Sequence, residues 1–307
     1  MLASFADFEP VTFGLSFSKY KAQGLGLDWQ ETYLAFLDEL KVPEIRLVGY
    51  WDDIERSPGQ LDFADIDWQL AEAEKRGIKV LMAVGYKLPG WPECHVPDWA
   101  KDYSVADQYA ALLRSFPTIV DHLKTYDVIW AWQVENEPFF RFGDCPTWWI
   151  RRTFVEEEIR IMREFDTRPI VITESGEGDV WLKAAKRGDW VGASVYRVVW
   201  NKYVRYRYPF TATFYRAKGG LSKLVFGKPV LIHEVQMEPW TPGVPLPEFP
   251  LEKQYETMSL ARFRENIALV RGIGFSPAYL WGAEWWYWLK KEKGETAIWE
   301  EAKSLWR

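Results

Sequence analysis

Trp132-Gln133-Val134-Glu135-Asn136-Glu137-Pro138 is the stretch on which the fold turns. An apolar, β-prone run that begins at Val128 stops here on two carboxylates and a proline. A strand buried on both faces reads as near-continuous Val, Ile and aromatic residues, so packing gives no reason for an acid at its end. Val230-Leu231-Ile232-His233-Glu234 repeats the arrangement after Pro229 and leads into Val235-Gln236-Met237-Glu238-Pro239-Trp240. Two strands each end on a glutamate.

Outward from these two, the spacing of apolar runs predicts eight strands, near residues 13, 44, 78, 128, 169, 190, 229 and 276. Each is followed by helical periodicity or by room for it. Asp28-Trp29-Gln30-Glu31 reads as a capping box opening a helix whose inner face is Trp29, Tyr33, Leu37 and Leu40. Lys75-Arg76-Gly77 and Lys186-Arg187-Gly188 each close a helix with cations and a glycine. Ser104 to Lys124 has helical spacing, and Pro117 is expected to kink or restart it. Thr147 is placed as the cap of a helix with Val155, Ile159, Met162 and Phe165 inside. Further helices are expected from Asp179, over Tyr255 to Arg271, and over Trp299 to Trp306. Strand and helix in alternation mean a parallel sheet, and eight units mean a closed (β/α)8 TIM barrel, a single domain spanning 1–307. The rival is an open doubly wound sheet, against which stands the lack of a Gly-rich phosphate loop after the first strand.

Composition narrows the function classes. The 307 residues are 48% hydrophobic and 27% charged with a formal net charge of −6, which gives a large core and no footprint for nucleic acid. Three histidines supply a multi-histidine metal centre poorly, so no metal and no cofactor is expected. Two cysteines, Cys94 and Cys145, are too few for a disulfide framework. They follow adjacent strands three and four, so a bridge is conceivable, but Met1 to Asp7 shows no secretory signal, which argues for a reducing compartment. The chain is therefore expected to be soluble and cytoplasmic as it stands, or secreted if a signal segment once preceded it, with no membrane partner. Nineteen Trp is far above ordinary usage. Trp91, Trp99, Trp148, Trp149, Trp240 and Trp285 fall in expected loops and suggest a flat apolar ligand face.

In a barrel of this kind active sites lie at the C-terminal ends of the strands, so Glu137 and Glu234 face one cup. Asn136-Glu137-Pro138 ending strand four, with Glu234 ending strand seven, resembles the clan of (β/α)8 retaining glycoside hydrolases that contains cellulases, mannanases and many β-galactosidases. The resemblance runs from about Phe13 to Trp285. It implies cleavage of β-glycosidic bonds in an oligosaccharide or polysaccharide by double displacement, with Glu137 as general acid and base and Glu234 as nucleophile. It further implies that Arg46 holds the nucleophile, that Asn136 meets the sugar 2-hydroxyl, and that Tyr196 donates to the nucleophile. Trp281 would lie under the sugar in the cleavage subsite. Glu284 and Trp285, just beyond, are candidates for binding sugar hydroxyls. Strand three ends Gly85-Tyr86-Lys87 without the histidine usual in cellulase-like members, and His95 is the nearest substitute. Glu135 and Glu238 stand beside the pair as extra acids that could exchange roles with it. Two other functions compete: a glycan-binding barrel without catalysis, which would not need both glutamates, and a metal-dependent hydrolase or lyase, whose activity a chelator would remove.

Overall fold

The computed structural model describes residues 10–147, 150–200 and 205–307. The N-terminal stretch 1–7 and the loop residues Trp148 and Trp149 lie outside the described residues. Eight parallel strands close into a barrel: β1 (Phe13–Ser16), β2 (Glu44–Gly49), β3 (Lys79–Val84), β4 (Ile129–Val134), β5 (Ile170–Glu174), β6 (Trp190–Val195), β7 (Val230–Gln236) and β8 (Ala278–Trp281). β1 pairs with both β2 and β8, which closes the ring. The strands sit where the apolar runs place them, because a strand sandwiched between barrel interior and helices must be apolar on both faces.

Alternate residues point inward and form layers. Leu81, Ala131, Val171, Leu231 and Tyr279 make a buried apolar layer toward the strand N-termini. Above it the interior turns polar, with Arg46, Gln133, Thr173, Ser194 and His233 all buried. β7 carries the device that shapes this upper layer. Ile232 pairs with Ala193 and Ala278, yet Glu234 pairs with Ser194 and Val235 with Leu280, so β7 has one residue more than either neighbour. Such a bulge re-aims side chains, and here it lets consecutive His233 and Glu234 both face the interior.

Several helix expectations are corrected. Asp28 does cap its helix, accepting from the Glu31 amide at 2.8 Å, but the Glu31 carboxylate turns to Tyr287 and Lys291 instead of completing a capping box. The helix Val105–Leu123 runs through Pro117 as one element. The helix after β4 starts at Arg152 with Arg151 before it, so Thr147 does not cap it. The expected helix from Asp179 is only Leu182–Ala185, and the helix over Tyr255 to Arg271 is two, Leu251–Thr257 and Leu260–Ile273. A helix at Ala283–Glu292 begins directly after β8. The segment between β6 and β7 forms a short ribbon, Val198–Trp200 with Arg205–Arg207, and the helix Ala212–Phe226. No described helix is long and apolar enough to cross a membrane. Tryptophan is used heavily in the core: Trp51, Trp132, Trp181, Trp285, Trp286 and Trp299 are fully buried, and Trp29, Trp68, Trp99, Trp130, Trp190 and Trp306 pack half-buried against it.

Candidate active site

The end of β4 supplies three candidate site residues, Glu135, Asn136 and Glu137, through an unusual backbone. After Val134 the chain leaves the sheet, and Glu135 and Glu137 adopt φ of 65° and 42°, a left-handed region that non-glycine residues seldom occupy. Such conformations cost about 1–3 kcal/mol each and persist where surrounding structure holds them. Glu135 provides part of that hold. Its carboxylate accepts from the amides of Tyr86 and Lys87, both at 2.6 Å, which locks the end of β3 to the end of β4. Gly85 makes room, since a Cβ there would lie 2.6 Å from a Glu135 oxygen. Glu135 is buried, with both carboxylate oxygens engaged by the Tyr86 and Lys87 amides.

Glu137 is held at its amide by Thr173 Oγ1 at 2.7 Å and at its carbonyl by Lys87 Nζ at 3.1 Å. Ser194 donates to its Oε1 at 2.7 Å. Burial first, and the neighbouring Glu234 second, push its carboxyl up to about 8. Glu234 has a different environment. Arg46 Nη1 donates to its Oε1 at 2.7 Å and the Tyr196 hydroxyl to its Oε2 at 2.9 Å. Arg46 is completely buried and immobilised by Gln133, by Asn136 Oδ1 at 2.9 Å and by the His233 carbonyl. Every guanidinium nitrogen is thus spoken for. The two glutamates meet at one imidazole: His233 Nε2 lies 3.8 Å from Glu137 Oε1 and 4.0 Å from Glu234 Oε1. Burial and the nearby Arg46 hold that imidazole far below its ordinary range, so it is neutral.

These groups open into a cleft of about 740 Å³ lined by Glu234, Tyr196, Trp281, Trp240, Trp91 and Glu93 among others. The Trp281 indole donates to Glu238 at 2.9 Å, and Lys21 Nζ, bound to the same carboxylate, sits 4.9 Å from the ring centroid. Glu238 is therefore a wall acid paired with a cation. The far wall is the loop from Pro239 to Leu246. Of the loop tryptophans, Trp91 is 67% exposed and Trp240 half-buried, both at the cleft, while Trp99 packs on Trp51 and donates to the Glu55 carbonyl.

The structure brings Glu137, Glu234, Asn136, Arg46, Tyr196 and Trp281 together. It removes Glu284 and Trp285. Because the helix begins one residue after Gly282, both side chains turn under the barrel rim: Glu284 is buried against the Ser18 amide at 2.7 Å, and the Trp285 indole is buried against Gln254 at 2.7 Å. His95 does not replace the missing strand-three histidine. It is buried between Tyr20 and Tyr50, with Nε2 at the Gly90 carbonyl. Lys87 and Glu93 of the same loop reach the site instead, and sequence reading missed Glu93 because an acid in a loop has no periodic signal. Gln133 and His233 were visible as polar interruptions of apolar strands. Cys94 and Cys145 are joined in a disulfide, with Cα atoms 5.2 Å apart, so the loops after β3 and β4 are bridged. Among the described residues no three His, Cys, Asp or Glu side chains are grouped to hold a metal ion.

No protein-family model and no curated protein matches the chain. Solved structures share its fold. The GH5_18 protein of Bifidobacterium longum superposes with a TM-score of 0.61 at 13% identity, over 89% of this chain and 69% of that one. The GH53 catalytic domain of Ignisphaera aggregans gives 0.59 at 17% identity, over 91% and 88%. Xylanase 10B of Thermotoga petrophila, solved with xylobiose, gives 0.58 at 14% identity, over 89% and 82%. The (β/α)8 fold expected from the resemblance is the fold of these proteins.

Proposed function

We propose that this chain is a retaining β-glycoside hydrolase acting by double displacement. The observation that carries the reading is the opposed setting of two carboxyl groups that face one imidazole: burial and charge repulsion push Glu137 up to about 8, while Glu234 is gripped on both oxygens by Arg46 and Tyr196. A carboxyl group kept protonated beside one held by a guanidinium and a phenol assigns acid and nucleophile. In the first step a Glu234 oxygen bonds to the anomeric carbon as the glycosidic C–O bond breaks, and the leaving oxygen takes the Glu137 proton. In the second, Glu137 removes a proton from water, the water oxygen bonds to that carbon, and the bond to Glu234 breaks. Asn136, with Oδ1 fixed by Arg46, directs Nδ2 to Glu93, and the Trp281 indole lines the cleft where a sugar ring can pack on it. The substrate is a β-linked oligosaccharide or polysaccharide. The fold neighbours support a carbohydrate, since they include a xylanase with xylobiose and a Streptomyces cattleya GH5_18 with GlcNAc. The Cys94–Cys145 bridge favours an oxidising compartment over the cytoplasm suggested by the first residues.

The acid must be protonated to act, so kcat/KM should fall as pH rises through about 8. Glu137→Gln should abolish that alkaline limb on aryl glycosides with good leaving groups and lower turnover by roughly 10²- to 10⁴-fold on poor ones. It should also release a stoichiometric burst of phenol, because deglycosylation has lost its base. A variant that keeps the full bell and shows no burst would move the acid role away from Glu137.

A further inference from the structure

Glu93 is a further carboxyl group lining the cleft, and the proposed pair of Glu137 and Glu234 does not need it. It lies in the loop after β3 at a φ of 78°, in the left-handed region that disfavours a residue with a side chain. The loop is built to hold it there. Its amide and carbonyl close a tight turn with Gly90 and Leu88, each at 2.7 Å, and the Asp144 amide bonds the preceding Pro92 carbonyl at 2.9 Å. The adjoining Cys94 is tied to Cys145. The Gly143 backbone packs so closely that a Cβ there would lie 2.7 Å from the Glu93 Cβ.

What this effort positions is a carboxylate with a half-open valence. Asn136 Nδ2 donates to Oε2 at 3.2 Å and Lys87 Nζ stands 3.8 Å from the same oxygen. Among the described residues no donor reaches Oε1, and the side chain lines the cleft together with Glu234 and Trp281. Burial and the nearness of Glu234 push this carboxyl up to about 7 against the opposing pull of Lys87, which makes it an awkward group to keep for packing alone. Resting on the reading of the cleft as a glycosidase site, we propose that Glu93 is a specificity-determining residue: its open oxygen takes a hydroxyl of the sugar ring attacked by Glu234, and it selects an uncharged ring there. The chemistry is consistent on both sides. A carboxylate accepts strongly from a hydroxyl, whereas Lys21, the lone cation among the described lining residues, is already bound to Glu238. A ring bearing its own carboxylate would meet Glu93, Glu234 and Glu238, whose neighbouring cations Lys87, Arg46 and Lys21 are already engaged.

A chemical double-mutant cycle tests this. kcat/KM is measured for wild type, Glu93→Ala and the equally shaped Glu93→Gln, on the aryl β-glycoside that wild type cleaves fastest and on its single-deoxy analogues. For one ring position, deleting the sugar hydroxyl and deleting the carboxylate should each cost roughly 10- to 100-fold, and the two together no more than either alone. Loss of fold would lower all substrates alike and would not produce that pattern. Additive losses at every ring position in both variants, or an aryl β-glucuronide cleaved faster than the matching glucoside, would overturn the assignment. If wild type cleaved no aryl β-glycoside, the glycosidase reading itself would fall. If wild type cleaved one and Glu234→Gln did not, additive cycles would remove Glu93 alone.

Discussion

The two interior layers of the barrel share the strands β4, β5 and β7 and have opposite character. Toward the strand N-termini, Leu81, Ala131, Val171 and Leu231 pack with Tyr279, whose hydroxyl is satisfied by Glu44 at 3.0 Å and Trp130 at 3.1 Å. Two residues further along β4, β5 and β7, Gln133, Thr173 and His233 join Arg46 of β2 and Ser194 of β6 in a polar layer, topped by carboxyl groups pushed above their ordinary range. One layer stabilises and the other is held in place by what lies beneath it. Stability and chemistry therefore separate along the barrel axis, which makes each layer testable without the other.

The largest effect is expected in the upper layer. Glu234→Gln keeps an acceptor for Arg46 and removes the proposed nucleophile, so activity should fall on the order of 10⁴-fold or more while the melting temperature stays within roughly 4 °C of wild type. Full activity on a good substrate would break the comparison from above. In the lower layer Leu231→Ala should do the reverse. Its side chain is fully buried, so the cavity should cost about 2–5 kcal/mol in denaturant unfolding with kcat nearly unchanged at temperatures well below melting. A large loss of kcat in that folded variant would mean that the layers are coupled. A smaller effect lies behind the active site. Glu158 on the helix Arg152–Phe165 is buried against Glu135; burial first and repulsion from Glu135 next raise its carboxyl well above its usual range, and burial pushes Glu135 to about 7. The folded pair binds a proton that the unfolded chain releases near pH 4 to 5, so stability falls as pH rises from there toward 7 and above, by up to about 1.4 kcal/mol per unit per proton. Glu158→Gln should flatten that slope in unfolding measured from pH 5 to 8, and an unchanged slope would show that the pair does not share a proton.

How much of this was written in the sequence follows the same division. The eight strands were legible because a doubly buried strand needs an unbroken apolar run, and Glu137 and Glu234 stood out against it. Even so, β7 continues to Gln236, and what turns Glu234 inward is a bulge that no residue type announces. Glu284 and Trp285 were misplaced because a sequence does not tell whether a strand is followed by a loop or at once by a helix. Tryptophan count pointed to a ligand face, yet packing took most of it. The Cys94–Cys145 bridge and Glu93 depend on two loops meeting across 51 residues of separation, which is a property of the assembled barrel and not of either loop.

The central claim is that Glu234 becomes covalently bonded to the sugar during turnover. Incubating the protein with an activated 2-deoxy-2-fluoro β-glycoside, which slows breakdown of a glycosyl-enzyme, and reading intact mass followed by peptide mapping, measures it directly. One fluorosugar per chain on the peptide carrying Glu234, formed as activity is lost and absent in Glu234→Gln, is the predicted result. Turnover of the parent glycoside with inverted product and no adduct, or an adduct on Glu137, Glu93 or Glu238, would contradict it.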